Sequence, residues 1–202
     1  MPTKERIEKV KRVLSLRQPD LRVVLEEVTN THNASAVVRT CDAAGILWVD
    51  IISQNKEPLP VNEAISTRAE KWIQLNYYSS ASECFASLRK KGYKIAATHL
   101  GKETLSYTEL DYAQPLAIVF GNESEGISEE ALSLADYRIK IPLLGMVQSL
   151  NLSVSVGVIL YEALRQKEEK GIYQKKNLSP EELEKYLEEW LDLSSKASSE
   201  TD

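Results

Sequence analysis

The chain has 202 residues, of which 43% are hydrophobic, enough apolar material for a packed core. No apolar run is long enough to cross a bilayer and the N-terminus is charged throughout, which excludes a secretory leader and makes a cytoplasmic protein the expectation. The net charge of −5 is unevenly spread: residues 177–202 hold eight acids against Lys185 and Lys196, a net of −6, whereas residues 1–25 carry a net of +4.

Residues 1–20 are read as a basic helical extension. A basic lead on a near-neutral body is either a footprint for phosphates, with Arg6 and Arg17 the candidate contacts, or a solvated helix face. Residues 21–28 read as a strand. Thr31-His-Asn-Ala-Ser-Ala-Val-Val-Arg-Thr-Cys-Asp-Ala-Ala-Gly45 then reads as a helix opening near Asn33 and closing at Gly45. Arg39, between Val37, Val38, Thr40 and Cys41, is a cation in an apolar neighbourhood, either paired structurally or awaiting an anionic ligand. Further strands are expected at 46–52 and 72–78. The capping box Ser80-x-x-Glu83 opens a helix that Gly92 ends as its C′ residue. Arg89, Lys90 and Lys91 close that helix, where cations offset the macrodipole and are equally candidates for RNA contact.

Residues 93–98 and 115–120 are the next strands. The latter run is apolar throughout and leads into Gly121-Asn-Glu-Ser-Glu-Gly-Ile-Ser128, a glycine-bracketed acidic turn with Ser128 as the N-cap of a helix. Glu123 and Glu125 exclude a phosphate cradle and suit a cationic or hydroxyl-rich ligand. After a strand at 137–142, Pro142 ends the ladder and Gly145 turns the loop. Ser149 and Asn151 sit where a long helix begins, placed to cap it or to serve a ligand. Ser149, Ser153 and Gly157 give that helix a stripe of small residues, for packing within the protomer or against a second copy. Ser179-Pro-Glu-Glu182 opens the last helix, with Leu183, Tyr186, Leu187, Trp190 and Leu191 as its apolar face. The last ten residues look frayed. Strands alternating with helices predict an α/β fold with a mainly parallel sheet flanked by helices. Cys41 and Cys84 share no ligand-like spacing with each other or with His32 and His99, so both read as ordinary thiols and no metal is expected.

Three blocks together, Asn33-x5-Arg39, Gly121-Asn-Glu123 with Gly126, and Ile141-Pro-x6-Ser149-Leu-Asn151, resemble in order and spacing the motifs of the SpoU branch of the SPOUT superfamily, over roughly residues 20–165. The resemblance implies a methyltransferase domain over 21–170 with a C-terminal trefoil knot, a feature that no local signal implies. It leaves 171–202 as an acidic helical extension. It further implies S-adenosylmethionine as methyl donor and the ribose 2′-oxygen of RNA as acceptor. The absence of a separate folded N-terminal domain favours a D-loop guanosine of tRNA (Gm18) over ribosomal RNA.

By the same resemblance, Asn33, Arg39, Glu123, Ser149 and Asn151 are the catalytic set. Thr98, Leu100, Gly121, Ile141, Met146 and Leu150 form the donor pocket, and the active site straddles a homodimer interface. Arg6, Arg17, Arg89, Lys90 and Arg165 are the candidate RNA contacts. The alternatives are a ribosomal-RNA or other tRNA ribose methyltransferase, a catalytically silent RNA-binding protein of this fold, and a flavodoxin-like or small nucleotide-binding domain that needs no RNA.

Overall fold

The computed structural model describes residues 2–55, 57–101, 103–172 and 178–191. In chain order the elements are α1 (Lys4–Ser15), β1 (Leu21–Glu26), α2 (Thr31–Ala43), β2 (Trp48–Ile52), α3 (Glu63–Ser66), a 3-10 turn (Ala69–Trp72), β3 (Gln74–Tyr78), α4 (Ala81–Lys90), β4 (Lys94–Thr98), β5 (Leu105–Ser106), β6 (Leu116–Phe120), α5 (Glu129–Leu134), β7 (Tyr137–Lys140), α6 (Leu152–Glu169) and α7 (Pro180–Trp190). The sheet runs β3-β2-β1-β6-β4-β7-β5, and every neighbouring pair is parallel. All six expected strands form. The seventh, β5, pairs only Leu105 and Ser106 with β7, too short a run for a period to show.

Side chains on a strand alternate between faces, and this splits the core in two. On β6, Leu116, Ile118 and Phe120 enter one layer with Val37, Val156 and Ile159, whereas Ala117 and Val119 enter the other with Phe85, Leu88 and Leu132. The first layer lies under α2 and α6 and the second under α4 and α5, so both faces of the sheet are covered, as a parallel sheet requires. Gly157 of the small-residue stripe lies against α2, where an added Cβ would sit 3.6 Å from Thr40 Cγ2. That contact is packing within one protomer.

The two terminal helices, at opposite ends of the chain, meet in space. Val10 and Leu14 of α1 pack with Tyr186 and Trp190 of α7 over Leu47 and Trp48. Trp72 and Trp190 contact edge to face at 5.2 Å, and Trp48 Nε1 donates to the Tyr186 hydroxyl. The α7 start has the full capping box from Ser179 and Glu182. In α4 only half of the expected box forms: Ser80 Oγ accepts from Glu83 N, but the Glu83 carboxylate accepts from Ser79. The expected fraying of the last ten residues lies outside the described residues.

Beneath these helices the charges are buried in pairs. Arg22 Nη1 donates to both carboxylate oxygens of Asp50 at 3.0 Å, and its guanidinium stacks on Trp48 and Tyr93. Lys167 of α6 reaches Asp20 and Gln18, pinning α6 to the start of β1. Beyond β2, Thr67 and Arg68 hold left-handed backbone (φ 55° and 64°), which costs a non-glycine residue roughly 1–2 kcal/mol each.

Candidate active site

Parallel strands end together, so the loops after β1, β6, β4 and β7 gather at one edge of the sheet, where α/β folds place their ligands. There Asn30, not Asn33, caps α2: its Oδ1 accepts from the N–H groups of His32 and Asn33, both at 3.0 Å. Asn33 therefore lies in the first turn, and its side chain reaches across the edge. Its Nδ2 donates to Glu123 Oε1 at 2.6 Å, and its Oδ1 accepts from Asn151 Nδ2 at 2.9 Å. Asn151 in turn caps α6, its Oδ1 accepting from Ser153 N and Ser153 Oγ. A neutral amide that donates and accepts at once links three loops without burying a charge.

The acidic turn is built on its own backbone. A Cβ on Gly121 would fall 2.1 Å from Gly126 O, because the turn folds back to a bridge between Asn122 and Gly126. Gly126 itself sits at φ +75°. The glycines thus serve the turn's closure. Asn122 organises the rest: its Oδ1 accepts from Ser124 N and Glu125 N, and its Nδ2 donates to Glu27 O. Ser128 caps α5 as expected and also donates, through N and Oγ, to the two carboxylate oxygens of buried Glu26. Sequence reasoning gave Asn122 and Glu26 no role. The Asn-x-Ser spacing of an Asx-turn was the available signal for the first.

These loops enclose a cleft of about 760 Å³, a size that suits a cofactor. Thr98, Leu100, Gly121, Ile141 and Leu150 line it together with Asn33, Glu123, Ser149 and Asn151. Phe120, Ile139, Leu152 and Ile159 make the apolar wall, and Glu123, Glu125 and Glu129 the acidic one. An apolar wall facing carboxylates fits a ligand with a flat ring, hydroxyls and a cationic centre. His99, Lys140 and Gln148 also line the cleft, and the sequence did not single them out.

Two expected site residues stand apart. Met146 is fully exposed and does not line the cleft, because the loop between β7 and α6 turns Leu144, Met146 and Val147 outward to solvent. Arg39 is likewise outside the cleft. It is exposed on α2 rather than set in an apolar neighbourhood, since Val37, Val38 and Cys41 take the buried face. Among the described residues it has no ion-pair partner, and the Asn33 side chain bonds to Glu123 and Asn151.

The candidate RNA contacts divide. Arg17 is corrected: it is 1% exposed, donating to Asp42 and Ile46 O beneath Trp190, so its guanidinium cannot meet an RNA phosphate. Arg89 ties the end of α4 to Leu134 O and Asp136, and Arg165 pairs with Glu162 and Glu169. The Arg165 hydrogen bond holds the Glu162 carboxyl below the usual carboxylate range. Arg6 and Lys90 are exposed. Burial pushes the thiols of Cys41 and Cys84 far up, leaving both inert as nucleophiles.

Comparison with known proteins agrees with this geometry. A model of the SpoU rRNA Methylase family matches residues 20–161. A tRNA (guanosine(18)-2′-O)-methyltransferase of Thermus thermophilus is 44% identical over 94% of this chain and 97% of its own. The crystal structure of the A. aeolicus TrmH/SpoU tRNA modifying enzyme has a TM-score of 0.87 at 42% identity, covering 93% of this chain and 95% of that one. An AdoMet-bound rRNA methyltransferase from Sinorhizobium meliloti has a TM-score of 0.64 at 26% identity, over 77% of this chain and 59% of that one.

Proposed function

The chain belongs to the SpoU rRNA methylase family and is an S-adenosylmethionine-dependent RNA methylase, and from that premise we propose that its acceptor is the ribose 2′-hydroxyl of guanosine 18 in the D-loop of tRNA. The observation that carries the choice of acceptor is coverage. The family match spans residues 20–161, whereas two of the tRNA-modifying relatives align over 92% and 94% of the chain, beyond the bounds of that match. A tRNA acceptor implies work in the cytoplasm.

The donor, when bound, supplies a methyl group on a cationic sulfonium. Thr98, Leu100, Gly121, Ile141 and Leu150 are the residues that would hold it, against the apolar wall and facing the carboxylates. Transfer to oxygen in line needs the reacting atoms about 3–3.5 Å apart, so positioning supplies much of the rate. The Asn151–Asn33–Glu123 chain keeps the loops of that pocket in register, and Ser149 stands beside it on the cleft wall. Arg39 acts on the acceptor. A guanidinium stays protonated and cannot take the hydroxyl proton. It grips the phosphate beside the target ribose and stabilises the charge that develops on the 2′-oxygen, while a phosphate oxygen or water removes the proton.

Arg39 lies outside its own protomer's cleft, which favours an active site completed by a second copy. Apolar side chains are available to such a copy: Leu144, Met146, Val147 and Leu150 of the loop and Val154 and Tyr161 of α6 are each exposed. Met146→Glu with Tyr161→Glu is expected to halve the mass in sedimentation and abolish turnover. A dimeric, active double variant removes this part of the reading.

The acceptor is tested by methyl transfer from labelled donor to total tRNA and total rRNA in parallel, followed by mapping. A 2′-O-methyl ribose blocks alkaline cleavage at its own phosphodiester. The expected product is tRNA resistant to alkali at position 18. Label in rRNA alone, or in a tRNA base with the adjoining bond still labile, overturns it.

A further inference from the structure

Thr67 and Arg68 hold consecutive left-handed backbone although neither is glycine. A side chain stays in that region only where its surroundings fix it. The fixing is visible on both sides. Ser66, fully buried, donates its hydroxyl to Glu70, and Ala69 is buried in the core layer beneath α2. Asn62 caps α3 through its side chain and donates its backbone N–H to Ser35 Oγ at 2.8 Å. Ser35 lies on α2, two residues past Asn33 and four before Arg39, so the turn is fastened to the helix that carries both.

What the rigid turn presents is a cation. The Arg68 side chain is 67% exposed, and its ion pair with Glu63, 64% exposed, is a single 3.4 Å contact through Nε. An exposed pair of this kind contributes little and yields to a better anion. A phosphate is that anion, because a guanidinium meets it with two parallel N–H groups.

We propose that Arg68 is a positioning residue for the RNA acceptor, gripping a backbone phosphate of the strand that reaches Arg39 and leaving Glu63 when it does so. The turn gives the guanidinium a fixed root beside α2, and Glu63 competes with the RNA for it. The inference rests on RNA being the acceptor. It adds a contact that the basic lead and the motif residues do not provide.

The test is a titration of the full chain with an unmodified tRNA transcript at several KCl concentrations, as wild type, Arg68→Ala, Arg68→Gly, Arg68→Lys and Glu63→Gln. Arg68→Gly removes the cation while suiting the left-handed backbone, which separates lost charge from a damaged turn. Both neutral variants are expected to bind tRNA roughly 5–10-fold more weakly and to flatten the log-affinity against log-salt slope by about 0.7–0.9, the release of one phosphate's counterion. The loss in turnover falls on KM for tRNA, and the affinity for S-adenosylmethionine stays within about twofold, since the contact is with the acceptor. Arg68→Lys keeps the slope, and Glu63→Gln tightens binding at low salt. An unchanged slope in both neutral variants, with only the melting temperature lowered, overturns the proposal and leaves Arg68 a structural residue. Wild-type protein that binds tRNA with this slope but does not methylate it overturns the proposed acceptor and leaves the Arg68 contact standing.

Discussion

The two edges of the sheet treat charge in opposite ways. At the edge where the strands begin, Arg17, Arg22 and Lys167 are buried, each paired with a carboxylate and two of them stacked on tryptophan. At the edge where the strands end, Asn33, Glu123 and Asn151 bond to one another at the surface of an open cleft, and Arg39 is exposed without an ion-pair partner among the described residues. The first set is committed on folding and the second stays open to solvent, where the proposed reaction would use it. Residue type does not separate them: Arg17 and Arg39 are both arginines in mixed surroundings, and only burial and partner tell the structural cation from the one proposed to meet the acceptor.

The sharpest way to break this division is at Asp50. It holds Arg22 in a buried bidentate contact and also accepts from Asn76 Nδ2 at 2.9 Å. Asp50→Ala leaves a buried guanidinium uncompensated, which costs about 3–5 kcal/mol. Urea denaturation is expected to show that loss, while turnover per folded molecule is retained. Lost turnover in protein that is still folded erases the boundary between the two edges.

Arg39 gives the converse. Arg39→Ala is expected to lower kcat by about 100–1000-fold, the range for removing one group that meets developing charge, with the melting temperature and donor affinity unchanged. Arg39→Lys does not restore the rate, because a point charge lacks the planar fork. A large fall in the melting temperature of either variant puts Arg39 with the structural cations.

The sequence made the architecture legible because its signals are local. Six strands, the Ser128 and Ser179 caps and the Gly92 C′ position each depend on a few neighbouring residues whose steric and hydrogen-bonding needs leave few choices. In the cleft, the motifs placed Asn33, Glu123 and Asn151 together, yet the chain of bonds joining them spans up to 118 positions and has no periodic signature. Tertiary packing was the missing information elsewhere. Arg17 looked like part of a basic lead because nothing near it in sequence shows that Trp190 will cover it. Met146 looked like a pocket wall because the direction of a loop is not encoded in its composition. No local signal encodes the path of one segment past another, so the knot entered with the family resemblance alone.

The smallest expected effect separates the two kinds of arginine within the basic lead itself. Arg6 lies on the exposed part of α1 and Arg17 just beyond its end, buried against Asp42. If α1 touches RNA, Arg6→Ala loses one phosphate contact. The slope of log-affinity against log-salt for tRNA then flattens by about 0.7–0.9 and binding weakens uniformly across tRNA sequences. The melting temperature should not move, since Arg6 gives the fold only a solvated side chain. Arg17→Ala is expected to do the reverse. The slope is kept and the melting temperature falls, because Asp42 loses its partner and the ring of Trp190 its stacked cation. An Arg6→Ala slope equal to wild type makes α1 a purely structural partner for α7 and moves the footprint to Lys90 and the turn at Arg68. A flattened slope in Arg17→Ala without loss of stability requires the Arg17–Asp42 pair to open on RNA binding, which is the one outcome that would let a buried cation serve both edges of the sheet.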